Sequence, residues 1–313
     1  MQPLAGWMPT RISWETGSPQ VEWLLLGDQR FTHPFFEETV QQALLHPFHQ
    51  AFRRTTPIDT LAAHPSLPVK GFIFHMSRCG STLLCQSLAA LERNIVLSEA
   101  PAVDSILRAH LRDPAITHAR RAVWLRSLLS ALGRKRHPAE EGVFVKLDCW
   151  NIAELPVIRE TFPDVPWIFL YRDPVEVLVS QMRQRALWAV PGALPQSVLG
   201  LDSASMPHDE YCARMLGRIC QIALDHFRQY TRGIPVNYNE LPDFCFSEML
   251  DHFHLDLRED ELHQMRQATA RNSKSPGQAF EPDQQAKQNA ATDRIRELAH
   301  RWIEPFYAQL ESA

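Results

Sequence analysis

The chain of 313 residues is short of the features that would place it outside a reducing compartment. Its six cysteines (Cys79, Cys85, Cys149, Cys212, Cys220 and Cys245) include no CxxC pair, so reduced thiols in a cytoplasmic protein are expected. No uncharged apolar run reaches the roughly 18 residues a membrane helix needs, so no membrane partner is expected. Met1 to Trp14 lack a basic start and a continuous apolar stretch, which argues against a signal peptide. The 14 histidines fall in no HExxH-like spacing, so no metal is expected. There is also no basic excess: 32 Lys and Arg stand against 36 Asp and Glu, for a net charge of −4. That balance gives no reason to expect nucleic acid as a partner. Repeats and low-complexity tracts are missing as well.

What is present is ordinary globular composition, with 45% hydrophobic and 22% charged residues. The length suits one large α/β domain or two small ones. Residues 1–69 are rich in proline and aromatics, with one helix expected from about 35 to 45. Pro57, Pro65 and Pro68 then punctuate a connector. We expect 1–69 to pack as a segment on a main domain of residues 70–313.

Beyond Lys70 the pattern alternates. Apolar runs predict strands over 71–75, 94–98, 142–148, 167–171 and 234–238. Helices are expected over 81–91, 101–112, 116–134, 151–162, 174–189, 208–231 and 283–311. Residues 191–207, with Pro, Gly and Ser throughout, read as an irregular loop of the kind that forms lids or plain surface connections. Such alternation implies an α/β fold: a parallel β-sheet flanked by helices on both faces. Ligands of such sheets bind beyond the carboxyl ends of the strands.

Two motifs stand at those ends. The first is His75-Met-Ser-Arg-Cys-Gly-Ser-Thr82, a strand, a tight loop and a helix start. Unpaired N–H groups and the helix dipole favour an anion there. Gly80 allows close backbone approach, Ser81 and Thr82 offer hydroxyls, and Arg78 adds a full charge. Against the nucleotide-kinase pattern GxxxxGK[ST], His75 replaces the first glycine and Ser81 replaces the lysine. The second motif is Tyr171-Arg-Asp-Pro-Val-Glu-Val-Leu-Val-Ser180, again a strand end followed by a helix. Pro174 suits the first helical turn. Val175, Leu178, Val179, Met182 and Ala186 recur at helical spacing as the expected buried stripe. Arg172 offers a planar fork for phosphate oxygens, although Asp173 or Glu176 could instead take it as an ion-pair partner.

Together these residues resemble the PAPS-dependent sulfotransferases. The family's 5′-phosphosulfate loop reads [KR]-S-G-[ST]-T, and Arg78-Cys-Gly-Ser-Thr82 matches it with Cys79 in place of Ser. The family's 3′-phosphate element, RxPxxVxxS, is matched by Arg172, Pro174, Val177 and Ser180. A third stretch, Val236-Asn-Tyr-Asn-Glu-Leu241, is similar to the family's xxYExL segment, which puts Tyr238 near the adenine or in the core. The resemblance covers about residues 70–310. It implies a P-loop NTPase-like three-layer fold, PAPS as co-substrate, no metal, and a small-molecule acceptor. It further implies donor binding by Arg78, Cys79, Gly80, Ser81, Thr82, Arg172, Ser180 and Tyr238. Cys79 would contribute shape and a backbone N–H.

Sulfonyl transfer needs cations near the leaving oxygen and a proton acceptor near the nucleophile. Arg78 and Lys146 are the candidate cations. Lys146 lies in an apolar strand, where a charge requires a partner. Some family members carry Lys-Thr-His here; Asp148 stands at that histidine's position. Glu99, which ends the strand over 94–98, and Asp148 are therefore the two candidate bases. Ser98 and Glu99 could also serve as caps for the following helix. A P-loop phosphotransferase and a non-catalytic PAP-binding protein are the competing classes. The first lacks its lysine, and the second leaves Arg78, Lys146 and a carboxylate without purpose.

Overall fold

The computed structural model describes residues 6–14, 18–61, 65–202, 206–270 and 283–313. Part of the 191–207 loop, residues 203–205, lies outside that set.

An antiparallel sheet in the first segment was not foreseen. It consists of β1 (Trp7–Ser13), β2 (Gln20–Leu25) and β3 (Arg54–Pro57), with β2 in the middle. Two prolines hid it, because proline cannot donate to a central ladder. Pro9 and Pro57 both sit on the outer strands, where that loss is tolerated, and the β1–β2 register shifts between Pro9 and Arg11. The helix expected nearby forms over Phe36–Leu44.

The five predicted strands form the second sheet: β4 (Val69–His75), β5 (Asn94–Ser98), β6 (Gly142–Lys146), β7 (Trp167–Tyr171) and β8 (Gly233–Asn237). All neighbours pair in parallel, in the order β5-β6-β4-β7-β8. β5, β6 and β7 are buried at every position, as strands covered on both faces must be. The chain leaves β4 toward one edge and later crosses from β6 to β7 on its other side. The carboxyl end of β4 is thus where connections part, the usual ligand crevice of open α/β sheets.

Several elements end earlier than the sequence pattern suggests. β6 stops at Lys146, and a 3-10 turn over Cys149–Glu154 precedes the Leu155–Thr161 helix. The helix expected over 174–189 ends at Arg183. The stretch expected as one helix over 283–311 divides into Gln284–Ala290, Asp293–Trp302 and Glu304–Leu310. Thr292 caps the second through its hydroxyl, and Pro305 starts the third.

The Pro174–Arg183 helix keeps Leu178 and Val179 of the expected stripe buried, but residues outside the stripe share that burial. Val177, Leu178, Val179 and Gln181 are buried, while Val175 and Met182 are half-buried and Ala186 lies beyond the helix. The C-terminal helices Gln284–Ala290 and Asp293–Trp302 cover its other side. Among the described residues, no helix is long and apolar enough to cross a membrane.

The first segment and the main sheet share one hydrophobic core. Polar ties reinforce the contact. Arg30 donates to the carbonyls of Ala89 and Leu91, and Trp124 Nε1 donates to Asp59 at 3.1 Å.

Candidate active site

The loop after β4 is held in a conformation that side chains rarely adopt. Ser77, Arg78 and Gly80 all have positive φ, at 81°, 53° and 85°. Two of the three are not glycine, and strain of this kind persists only where surroundings over-determine it. The surroundings are identifiable. The Ser77 N–H donates to His75 Nδ1 at 3.0 Å, and the buried Gln181 donates to Ser77 Oγ at 3.1 Å. Cys79 is fully buried and its thiol meets the Leu170 carbonyl at 3.2 Å. Burial pushes that thiol up to about 11, so Cys79 acts as packing rather than as a nucleophile. Gly80 is indispensable for a second reason. A Cβ there would stand 2.6 Å from Leu241 Cδ1 and 2.9 Å from Tyr238 Cδ2.

Gly80 leads straight into the Ser81–Ala89 helix, whose N-terminus has no side-chain cap. Its first N–H groups therefore keep their capacity for an outside acceptor. The buried Ser81 and Thr82 line a cleft of about 300 Å³ at this point, together with Arg78, Glu99, Lys146 and Asp148. Six predicted site residues thus meet in one space.

Within the cleft, Lys146 is 1% exposed and its Nζ lies 2.7 Å from Glu99 Oε1. The lysine rests over the Phe35 ring, 4.9 Å from its centroid. Glu99 itself has positive φ, at 54°. Burial would push the Glu99 carboxyl up, but Lys146 and His75 outweigh it and hold the carboxyl well below its usual range. His75 Nε2 stands 3.3 Å from the same Oε1, and burial keeps that imidazole neutral. With Nδ1 accepting from Ser77, the ring proton belongs on Nε2. Both groups therefore contact Oε1, and neither is paired with Oε2.

Asp148 is tuned the other way. Burial first, then the charges of Glu99 and Asp104, raise its pKa well above the ordinary 3.8. Arg78 donates to the Gln184 carbonyl at 2.7 Å, tying the loop after β4 to the chain after the Pro174–Arg183 helix.

Arg172, Ser180 and Tyr238 stand on an adjoining rim. The Arg172 N–H meets Met76 Sδ at 3.2 Å, which joins the ends of β7 and β4. Its guanidinium stacks 3.7 Å from the Tyr238 ring centroid, and the same ring packs on Gly80. The fork is engaged: Nε donates to Glu176 Oε2 at 2.6 Å and Nη2 to Asp283 Oδ1 at 2.7 Å. The ion-pair partner weighed from sequence is thus Glu176, and Asp283 was not foreseen. Ser180 lies one turn beyond Glu176 on the same helix.

Sequence reasoning missed His75 as a Glu99 neighbour, Gln181 as the loop's brace, and Phe35, Trp150 and Trp188 as cleft walls. His75 had a signal, since it replaces a glycine of the kinase pattern. The others are single residues outside any spacing. Among the described residues, no cluster of His, Cys, Asp or Glu is arranged to hold a metal ion.

No protein-family profile and no curated protein matches the chain. Solved structures that it resembles are sulfotransferases. The sulfotransferase domain from the curacin biosynthetic pathway is 15% identical, covering 76% of this chain and 98% of that one, with a TM-score of 0.44. Sulfotransferase STF9 from Mycobacterium avium is 13% identical over 80% of each chain, with a TM-score of 0.44. The sulfotransferase domain from the Synechococcus PCC 7002 olefin synthase is 17% identical, covering 77% of this chain and 89% of that one, also at 0.44.

Proposed function

We propose that this protein transfers a sulfonyl group from PAPS to a hydroxyl or amine of a small acceptor, releasing PAP. The observation that carries the reading is one arrangement: an uncapped helix start facing two cleft cations, Arg78 and Lys146, with Arg172 fixed next door. Tyr238 links the two halves by touching both Gly80 and Arg172. The residues fit a bisphosphorylated nucleotide. The loop after β4 would take the 5′-phosphosulfate, and Arg172 with Ser180 would take the 3′-phosphate.

In the reaction, the bond between sulfur and the bridging phosphate oxygen breaks as a bond from sulfur to the acceptor forms. The electron pair of the broken bond leaves on the phosphate. Arg78 and Lys146 stabilise the charge that gathers on that oxygen and on the sulfonyl oxygens. The acceptor's proton passes to a cleft carboxylate. Glu99 stays ionised and presents Oε2, so it orients the nucleophile and can accept the proton. Asp148, with its raised pKa, is the stronger base of the two but depends on being deprotonated.

The 70–313 domain would carry the donor site, and residues 1–69 would supply walls such as Phe35. All six cysteines are free, in keeping with a cytoplasmic setting.

Calorimetry with PAP, AMP and ATP tests the donor. PAP should bind much more tightly than either. Tighter binding of ATP with Mg²⁺ would favour a phosphotransferase instead. An acceptor screen with labelled PAPS then tests turnover, and PAP binding without transfer to any acceptor would favour the non-catalytic alternative.

A further inference from the structure

A second cavity, of about 540 Å³, adjoins the cleft. Trp150 and Trp188 line both spaces, so the two share an aromatic boundary. Its walls are largely apolar. Ile12 and Trp14, at the end of β1, line it along with the two shared tryptophans. Leu187 also lines it while remaining 81% exposed, an apolar side chain held at the surface beside the opening. The volume lies in the range of small-molecule pockets.

The charge in this cavity is one-sided. Two arginines, Arg108 and Arg112, line it and no carboxylate does. Arg108 is already neutralised, since Asp104 takes its Nε at 2.7 Å and pairs with its Nη2. The same carboxylate accepts from Trp150 Nε1 at 2.7 Å and Asn151 Nδ2 at 2.8 Å, so Asp104 is held in place, and it does not line the cavity. Arg112 is exposed and forms no ion pair among the described residues. The cavity therefore offers one uncommitted positive charge, on a residue that is not part of the cleft's lining.

We propose that this cavity holds the acceptor, and that the acceptor is a flat aromatic molecule with a carboxylate at the end remote from its reacting hydroxyl. The identity of the reacting end rests on the sulfotransferase reading. Trp14, Trp150 and Trp188 supply the faces that aromatic rings stack against. Arg112 supplies the fork that a carboxylate takes in two hydrogen bonds. A neutral aromatic alcohol gains only the first of these contributions. A charged aliphatic acceptor gains only the second.

The test is a matched pair: 6-hydroxy-2-naphthoate and 6-hydroxy-2-naphthamide, titrated calorimetrically into the full chain with and without PAP. The acid should bind about tenfold more tightly than the amide, as expected for one charge-assisted contact. Added salt should narrow that difference. Arg112→Gln should abolish it by weakening the acid alone. Ser197→Trp, at an exposed position on the wall, should block both ligands without unfolding the chain. Equal affinities, a preference that survives Arg112→Gln, binding that ignores Ser197→Trp, or binding of neither probe would each overturn the proposal. A chain that fails to bind PAP yet shows the preference refutes the donor reading and leaves the cavity assignment standing.

Discussion

Asp283 bridges two buried cations, with Oδ1 2.7 Å from Arg172 Nη2 and Oδ2 2.7 Å from Lys287 Nζ. Arg172 is 4% exposed and Lys287 is 5% exposed. On the proposed reading, a carboxylate sits where a 3′-phosphate would approach Arg172, and the two anions would compete. Asp283→Asn should therefore tighten PAP binding by about tenfold, the weight of one charged hydrogen bond, and leave AMP unchanged. Arg172→Ala should do the reverse for PAP and again spare AMP. Calorimetry on both variants decides the matter. Equal losses for PAP and AMP in Arg172→Ala would make Arg172 a purely structural ion-pair residue.

The same carboxylate carries a stability prediction. Burial alone would raise its pKa, but Lys287 and Arg172 hold it below the ordinary 3.8. Its contribution is therefore present above that value and lost as pH falls through the lower folded one. Because Asp283 is 48% exposed, the contribution is modest, about 1 kcal/mol. Asp283→Asn should lower the urea midpoint at neutral pH and match the wild type in strong acid.

Much of the main sheet was legible because β4 to β8 are continuous apolar runs that need no partner to be recognised. Both strand-end motifs were legible for the same reason: each begins where such a run ends. The β1–β3 sheet was not, since its outer strands contain Pro9 and Pro57 and its β2–β3 pairing joins distant residues, as with Trp23 Nε1 and Thr56 Oγ1, 33 residues apart. The cleft's electrostatics were only half legible. Sequence order put Lys146 and Glu99 at neighbouring strand ends, but their pairing through Oε1 follows from the β5–β6 register, which aligns Ser98 with Lys146. Asp283 lies 111 residues from Arg172, and no local pattern connects them.

Gly80→Ala should destabilise the protein by about 2 kcal/mol or more. Left-handed backbone alone costs a side chain roughly 1–2 kcal/mol, and the new methyl would press on Leu241 and Tyr238. Displacing Tyr238 would also loosen Arg172, so PAP affinity should fall in the same variant. Denaturation and calorimetry together check this. Unchanged stability would mean that the loop accommodates the methyl and that its left-handed turn is not imposed by packing.

The two cleft carboxylates have opposite tuning, which lets pH separate their roles. Glu99→Gln should fold and bind PAP but lose about 100-fold in rate with an alcohol acceptor, because Oε2 no longer accepts a proton. Asp148 behaves differently. Burial, Glu99 and Asp104 raise its folded pKa above the ordinary 3.8, against the smaller opposing pull of Lys146 and Arg108. The native state therefore holds its proton more tightly than the unfolded chain does. The stability that this proton confers is complete below 3.8 and disappears as pH rises through the folded pKa. Asp148→Asn removes the ionisation, so its stability relative to wild type should improve steadily from acid to neutral pH in urea titrations. If Asp148 is the base, the wild-type rate should also rise with pH through that same pKa, and Asp148→Asn should abolish both the rise and most of the rate. A fully active Asp148→Asn variant, alongside an inactive Glu99→Gln, assigns the proton to Glu99 and leaves Asp148 to set the field around it.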